Sequence, residues 1–525
     1  MRQRSRNPWL GLIFICVSLL IISLDNTILN VALPSISRDL GASASELQWI
    51  VDAYILVFAA MLLTMGSVGD RLGRKRALQI GVVWFGVFSL IAALSTSVPM
   101  LIVARALLGI GGATIMPATL SLITSSFRDP KQRAQAIAIW AAIFGLGLGV
   151  GPLLGGFLLE HFDWNAVFFV NLPVVVAALI GGQLYLTESK DEHAPSPDVP
   201  GVLLSITGLF ALVYGIIEAG SDGWGAAHVL IAFAAAAVLL TIFFWWENRA
   251  SNAMLPLYLF RNMSFTGANL AMTLMMFGMF GATFFLSQYF QSVQKYSALE
   301  AGIRMFPMSM VIMFAASNSA RVAARIGNKR AVGIGFLVAG GGMFYLSQMS
   351  SVGASYLTIL LGLVIMGAGM GTAMSPATNS IMASVPVRKA GVGSAMNDTT
   401  RQVGGALGIA VLGTLMNHRY LREIDSLKSV VPAQAYDAVS SSIQGAHGVA
   451  GRVGGPLGQT IIASADKAFV SGMTEAMFVA SLIMAGAALL TFVLLPREAT
   501  CIEPECAETP ERAAEVGTPV PLPGD

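Results

Sequence analysis

Apolar runs of helix length, separated by short polar breaks, fill the chain from Leu10 to Leu495. A membrane-spanning helix needs about 20 mostly apolar residues. On that measure fourteen segments are predicted, at 10–33, 46–66, 76–95, 99–122, 134–158, 163–186, 199–218, 227–247, 264–291, 300–320, 330–349, 353–376, 390–416 and 470–495. An even number places both termini on one side. The first run follows Arg2, Arg4 and Arg6, as in a signal peptide, but it is too long and lacks a small-residue cleavage site, so it reads as a retained helix.

The breaks carry an asymmetric charge. After even-numbered segments come Arg71, Arg74, Lys75 and Arg76, then Arg128, Lys131 and Arg133, then Arg249 and Arg261, then Arg325, Lys329 and Arg330, then Arg388 and Lys389. Breaks after odd-numbered segments carry few basic residues, which puts both ends in the cytoplasm. One inner break departs from the trend, because Glu188-Ser189-Lys190-Asp191-Glu192 is mixed to acidic.

Only 11% of residues are charged and 55% are hydrophobic, so most of the chain must sit in lipid, and a soluble enzyme or nucleic-acid binder is excluded. Cys16, Cys501 and Cys506 are too few and too scattered for a disulfide framework. No histidine accompanies the last two, and no metal or cofactor is expected. A Gly-rich Lys-Ser/Thr phosphate loop is absent, so ATP is not the expected energy source.

The charged stretch Gly66 to Arg76 stands out as a tight turn between two apolar segments, with Gly66, Gly69 and Gly73 letting helix ends approach. Asp70 is the one acid among Arg71, Arg74, Lys75 and Arg76, placed to accept backbone N–H bonds or to pair with an arginine. The stretch reappears in degraded form as Ala323-Ala324-Arg325-Ile326-Gly327-Asn328-Lys329-Arg330. Leu108-Gly109-Ile110-Gly111-Gly112-Ala113-Thr114 is echoed by Met366-Gly367-Ala368-Gly369-Met370-Gly371-Thr372 at nearly the same offset. The chain therefore reads as an all-α polytopic membrane protein of two six-helix halves with two helices inserted between them. The expected division is a cytoplasmic N-terminus (1–8), an N-terminal bundle (9–190), inserted helices and linkers (191–262), a C-terminal bundle (263–496) with an external loop (417–469), and a disordered cytoplasmic tail (497–525). For the external loop two readings stay open, an amphipathic hairpin over the outer mouth or a disordered segment.

The stretch from Gly66 to Arg76 resembles the signature loop of the major facilitator superfamily of secondary transporters. The likeness extends to its fourteen-helix drug:proton antiporter branch through Leu24-Asp25-Asn26-Thr27, Trp49-Ile50-Val51-Asp52-Ala53-Tyr54, Arg105-Ala106-Leu107-Leu108-Gly109 and Gly147-Leu148-Gly149-Val150-Gly151-Pro152-Leu153-Leu154-Gly155-Gly156. In the last stretch Gly147, Gly151 and Gly155 line one helix face, and Pro152 permits a bend. The resemblance implies parallel halves, a conformational gate at Gly66 to Arg74, and an exporter motif that also takes in Gly156.

Ionisable groups inside apolar helices are costly and point to function. They are Asp25, Asp52, Arg105, Asp398 and Arg401. Low dielectric favours a neutral carboxyl, which suits a proton carrier, and a changing arginine partner would load and release the proton. For Asp398 the plain alternative is a fixed ion pair with Arg401, and for Asp25 it is hydrogen bonding to Asn26, Thr27 and Asn30. The Met and Phe residues crowding segments nine and ten, from Met272 to Met313, suit either a promiscuous pocket or contact with lipid.

The expected function is proton-coupled export of small hydrophobic, often cationic drugs, dyes or antiseptics across the cytoplasmic membrane by a monomer. A dedicated exporter of an endogenous metabolite or antibiotic is the rival reading. A sensor that transports nothing fits the costly buried charges least well.

Overall fold

The computed structural model describes residues 7–42, 44–190, 198–250, 253, 255–429 and 431–496. Arg2, Arg4, Arg6, Asp191, Glu192, Cys501, Cys506 and the tail expected at 497–525 lie outside the described residues.

The first half runs α1 (Pro8–Leu40), α2 (Ala44–Leu72), α3 (Arg74–Ala93), α4 (Val98–Ser126), α5 (Pro130–His161), then short α6 (Ala166–Phe169) continued by α7 (Asn171–Tyr185). Next come α8 (Val199–Ser221) and α9 (Ala227–Glu247), which pair with each other. The second half runs α10 (Met263–Gln288), α11 (Ala298–Ile326), α12 (Asn328–Met349), α13 (Tyr356–Ala383), α14 (Ala390–Ile424), the short α15 (Ala433–Ser441) and α16 (Ile443–Val453), and α17 (Gly455–Leu494). Local chemistry sets the helix ends. Asn7 and Asp129 accept the first-turn amides of Trp9 and Lys131 ahead of Pro8 and Pro130. Ser297 and Glu300 cap each other's amides at the start of α11.

Thirteen helical stretches among the described residues, α6 and α7 counting as one, are long and apolar enough to cross a membrane. The predicted thirteenth segment, now α14, is not among them. Asn397, Asp398, Arg401 and Gln402 lower its hydropathy, yet it is 35 residues long and packs against α2, α4, α8, α10 and α17. It completes fourteen by its packing rather than by its composition.

The two halves repeat each other's contacts. α1 packs on α5 as α10 packs on α14; α2 and α3 pack on α4 as α11 and α12 pack on α13; α3 packs on α7 as α12 packs on α17. The small residues of the echo make the same contacts twice. Gly109 lies against the Tyr54 carbonyl and Gly367 against the Met308 carbonyl; Gly111 lies against the Phe85 amide and Gly369 against the Ala339 amide. The halves meet through α5 with α11 and through α2 with α14, and α8 leans on α2 and α14.

Two expectations change. The stretch from Gly66 to Arg76 is not a loop: α2 continues through Leu72, α3 begins at Arg74, and Gly73 alone turns the chain, at φ 109°. Gly327 makes the equivalent break between α11 and α12, at φ 85°. Such positive φ favours glycine at both hinges. The segment expected at 417–469 is largely helical. α14 extends to Ile424, α17 begins at Gly455, and between them α15 and α16 form the hairpin that was one of the two open readings. Tyr420 donates to the Val439 carbonyl (3.0 Å), Gln444 to Ser292 (3.1 Å), and His447 meets Asp466 at 2.7 Å. Lys295 approaches His447 at 3.0 Å, and burial pushes its ammonium below the usual range against the pull of Asp466.

Candidate functional site: two buried charge centres and a gate

Asp25 lies in α1 and Arg105 in α4, both buried, and the carboxylate Oδ2 accepts from the guanidinium at 2.5 Å. Arg105 also donates from Nε to the Ile50 carbonyl (3.1 Å) and stacks on the Tyr54 ring at 4.4 Å. Oδ1 of Asp25 is buried with no hydrogen-bond partner. The alternative for Asp25, local hydrogen bonding to its neighbours, is thus replaced by an ion pair across 80 residues. Removing one member of such a buried pair costs about 3–5 kcal/mol, because a charge is stranded.

The second centre is built differently. Asp398 and Arg401, three residues apart on α14, do not form the fixed ion pair that was the plain alternative. Asn397 donates to Asp398 Oδ1 (3.0 Å), and Oδ2 is buried without a hydrogen-bond partner. The Arg401 guanidinium turns to the other half, 3.8 Å from the Phe144 ring and 5.2 Å from the Trp140 ring of α5, with both terminal nitrogens buried and unpartnered. Asp52 is half-buried on α2 and belongs to neither centre.

Met272, Met275, Met276 and Met279 of α10 are all buried, so they belong to the interior rather than the lipid face. Phe284 is exposed.

At the end of the bundle with the basic breaks, Asp70 closes the halves against each other. Both of its oxygens accept from the Gly391 amide at the start of α14 (3.0 and 2.9 Å), and Arg74 Nε donates to Oδ1 (2.8 Å). From its position in the chain Asp70 is expected to reach the cytoplasmic end of the eleventh predicted segment, now α12, or its neighbouring arginines; the arginine is right, but the partner helix is α14, the thirteenth predicted segment. Arg74 also donates to the carbonyls of Val387 (2.6 Å) and Arg388 (3.0 Å), so one guanidinium spans both halves. A Cβ on Gly66 would strike the Gly391 carbonyl and Ala395, which explains the glycine. Gly69 has ordinary space around it, and Arg71 is half-buried in the last turn of α2.

α5 carries two faces of small residues. Gly147, Gly151 and Gly155 lie against Ser23, Thr27 and Ile28 of α1, within the same half. Gly145, Gly149 and Gly156 lie against Ile312, Ser309 and Leu299 of α11, and Gly302 of α11 lies against Pro152. The four-residue spacing shows the first face; the second, which joins the halves, includes Gly145 and Gly149 and goes unnoticed. Tyr54, Trp140, Phe144 and Gly391 are likewise absent from the predicted site, since each acts through a partner distant in sequence.

Residues 15–409 match the Major Facilitator Superfamily. The chain belongs to that family. It is 38% identical over 491 residues to the multidrug efflux pump LfrA of Mycolicibacterium smegmatis, covering 93% of this chain and 96% of that protein. It is 34% identical to the tetracenomycin C resistance and export protein of Streptomyces glaucescens, over 94% of this chain and 93% of the other. The methyl viologen resistance protein SmvA of Salmonella typhimurium is 32% identical, over 88% and 93%. Among solved structures the proton:xylose symporter XylE superposes with a TM-score of 0.62 at 13% identity, over 93% of this chain and 96% of that one, a likeness of fold alone.

Proposed function

We propose that this protein exports hydrophobic, often cationic drugs across the cytoplasmic membrane in exchange for protons, alternating access between its two halves, with both termini in the cytoplasm. The observation that carries the reading is the pair of buried acids, one per half, held in unlike ways. Each keeps one unpartnered oxygen, but Asp25 is ion-paired with Arg105 whereas Asp398 has only the Asn397 amide on its other oxygen and no ion pair with Arg401. A cation arriving near such a carboxylate favours its ionised form and expels the proton; protonation from outside displaces the cation. Competition for one negative charge is enough to couple the two flows. The relatives named for drug efflux and resistance support the substrate class.

The test is drug uptake into inverted vesicles energised by a proton gradient. Asp25→Asn and Asp398→Asn are each expected to lose gradient-driven transport, and at least one to lose proton release on adding drug. Full proton-driven transport by both variants would remove coupling from these acids and turn attention to Asp52. A second reading, a dedicated exporter of one compound, is favoured by the relative that carries a single antibiotic's name. A panel of dyes and natural products in the same vesicles separates them, since a dedicated exporter moves one class only.

A further inference from the structure

The inner gate has a component that neither half's echo of the other explains. The first three residues of an α-helix carry amides with no partner inside the helix, and the cap of α3 is Gly73, which has no side chain to offer them. They are satisfied instead by a segment more than a hundred residues further along. The Arg74 amide donates to the Ser189 carbonyl (2.8 Å), the Lys75 amide to Glu188 Oε1 (3.0 Å) and the Arg76 amide to Glu188 Oε2 (3.2 Å). The Ser189 amide donates to the same carboxylate (2.9 Å), and the Ser189 hydroxyl accepts from Arg74 Nη1 (3.0 Å). Around them Gln79 donates to Gln183 (2.9 Å) and the Lys75 ammonium donates to the Gln183 carbonyl (3.1 Å). A Cβ on Gly73 would meet the Glu188 carboxyl group, the flexible end of a side chain that can give way, so it is the φ that favours glycine there.

We propose that Glu188 and Ser189 are positioning residues of the inner gate: a hook that fixes the first turn of α3 and aims the Arg74 guanidinium across to Val387 and Arg388. The charge and the geometry agree. A carboxylate at a helix N-terminus is favoured by the helix dipole and by charge-assisted hydrogen bonds. Arg74 has its Nη1 directed to Ser189 and its Nη2 to the two carbonyls of the other half, so a planar guanidinium held on one edge is oriented on the other. The hook also gives a role to Glu188, the described acid of the break that departs from the basic trend. It sits where the chain leaves the first half for α8, so the linker to the inserted helices is fastened to the gate while the gate is shut. Releasing it weakens the closed inner side and moves the transporter toward its inward-open form.

The inference rests on the transport reading above, and its test is chosen to be independent of substrate and gradient. In a chain with Cys16, Cys501 and Cys506 replaced by alanine, Ala395→Cys places one thiol against Gly66, where it is reached from the cytoplasmic face only if α2 and α14 part. In inverted vesicles, Glu188→Ala and Ser189→Ala are expected to label with an impermeant maleimide about three- to tenfold faster than the parent, with Glu188→Gln between, since an amide keeps one acceptor oxygen and loses the charge. Transport by the same variants without the reporter should show a lower kcat with a lower KM for drug, because more of the protein waits in the form that binds from inside. A merely structural residue would reduce the amount of inserted protein and leave labelling rate and KM unmoved, and that result overturns the proposal. If Glu188→Ala fails to insert, the shape-conserving Glu188→Gln and Ser189→Ala decide alone. If no drug is transported at all, the labelling still reads the gate.

Discussion

The two seams between the halves are related by the internal repeat, yet they are held by different physics. α2 meets α14 through a charge, with Asp70 on the Gly391 amide and Arg74 on two carbonyls beyond it. α5 meets α11 through closeness, with Gly145, Gly149 and Gly156 on one side and Gly302 on the other. The hinge next to each seam is a single glycine with positive φ, Gly73 or Gly327, so the turn itself is shared. The latch is not: Ala324 stands where Asp70 does, and Asn328, where Arg74 does, donates to Ser380 within its own half at 3.2 Å. A hydrogen-bonded charge can be made and broken over a short distance, whereas a small-residue seam responds steeply to volume. In the transport cycle proposed above, one seam would act as a catch and the other as a bearing.

That contrast can be broken by substitution. The largest effect is expected from Asp70→Asn, which keeps volume and removes charge. Charge-assisted hydrogen bonds contribute about 1.5–3 kcal/mol, so the closed inner state should weaken about tenfold or more. Transport should fall comparably, while insertion and drug binding persist. Normal export by this variant would dismiss the catch. Next is Gly149→Val on the bearing, where overpacking costs about 1–3 kcal/mol. Its loss of transport should scale with side-chain volume, and Ser309→Gly, which removes both the hydroxyl and the Cβ facing Gly149, should restore Gly149→Ala more than it restores Gly149→Val. Equal effects of Ala and Val would contradict packing as the cause. The smallest is Asn328→Ala, which removes one neutral hydrogen bond worth about 0.5–1.5 kcal/mol. Its effect on transport rate should fall between about twofold and tenfold and below that of Asp70→Asn; a loss deeper than that of Asp70→Asn would mean that the second hinge latches too.

Legibility followed sequence distance. Helix positions, the repeat and the glycine hinge are local patterns, and the structure returns them with longer helices. The contacts that carry the gate and the first charge centre join positions 80 and 321 residues apart, and no local pattern selects Arg105 for Asp25 or Gly391 for Asp70. Arg401 shows the opposite hazard: its nearest acid in sequence, Asp398, suggested an ion pair, and the side chain instead crosses to Phe144. The acidic Glu188 offered a visible signal as a departure from the charge trend, but its meaning needed the uncapped end of α3.

α14 failed to qualify as a span by composition, and this bears on how the protein is made. Asp398 and Arg401 near mid-membrane together cost about 5–7 kcal/mol on an insertion scale, too much for a helix released into lipid alone. Of the helices it packs against, α2, α4, α8 and α10 are translated before it and α17 after it. α14 therefore enters a bundle that is largely made: Arg401 finds the Trp140 and Phe144 rings of α5, which precedes it, so the charged helix depends on its predecessors for insertion, and chains whose α5 is misplaced should be cleared by quality control instead of accumulating as misfolded pumps.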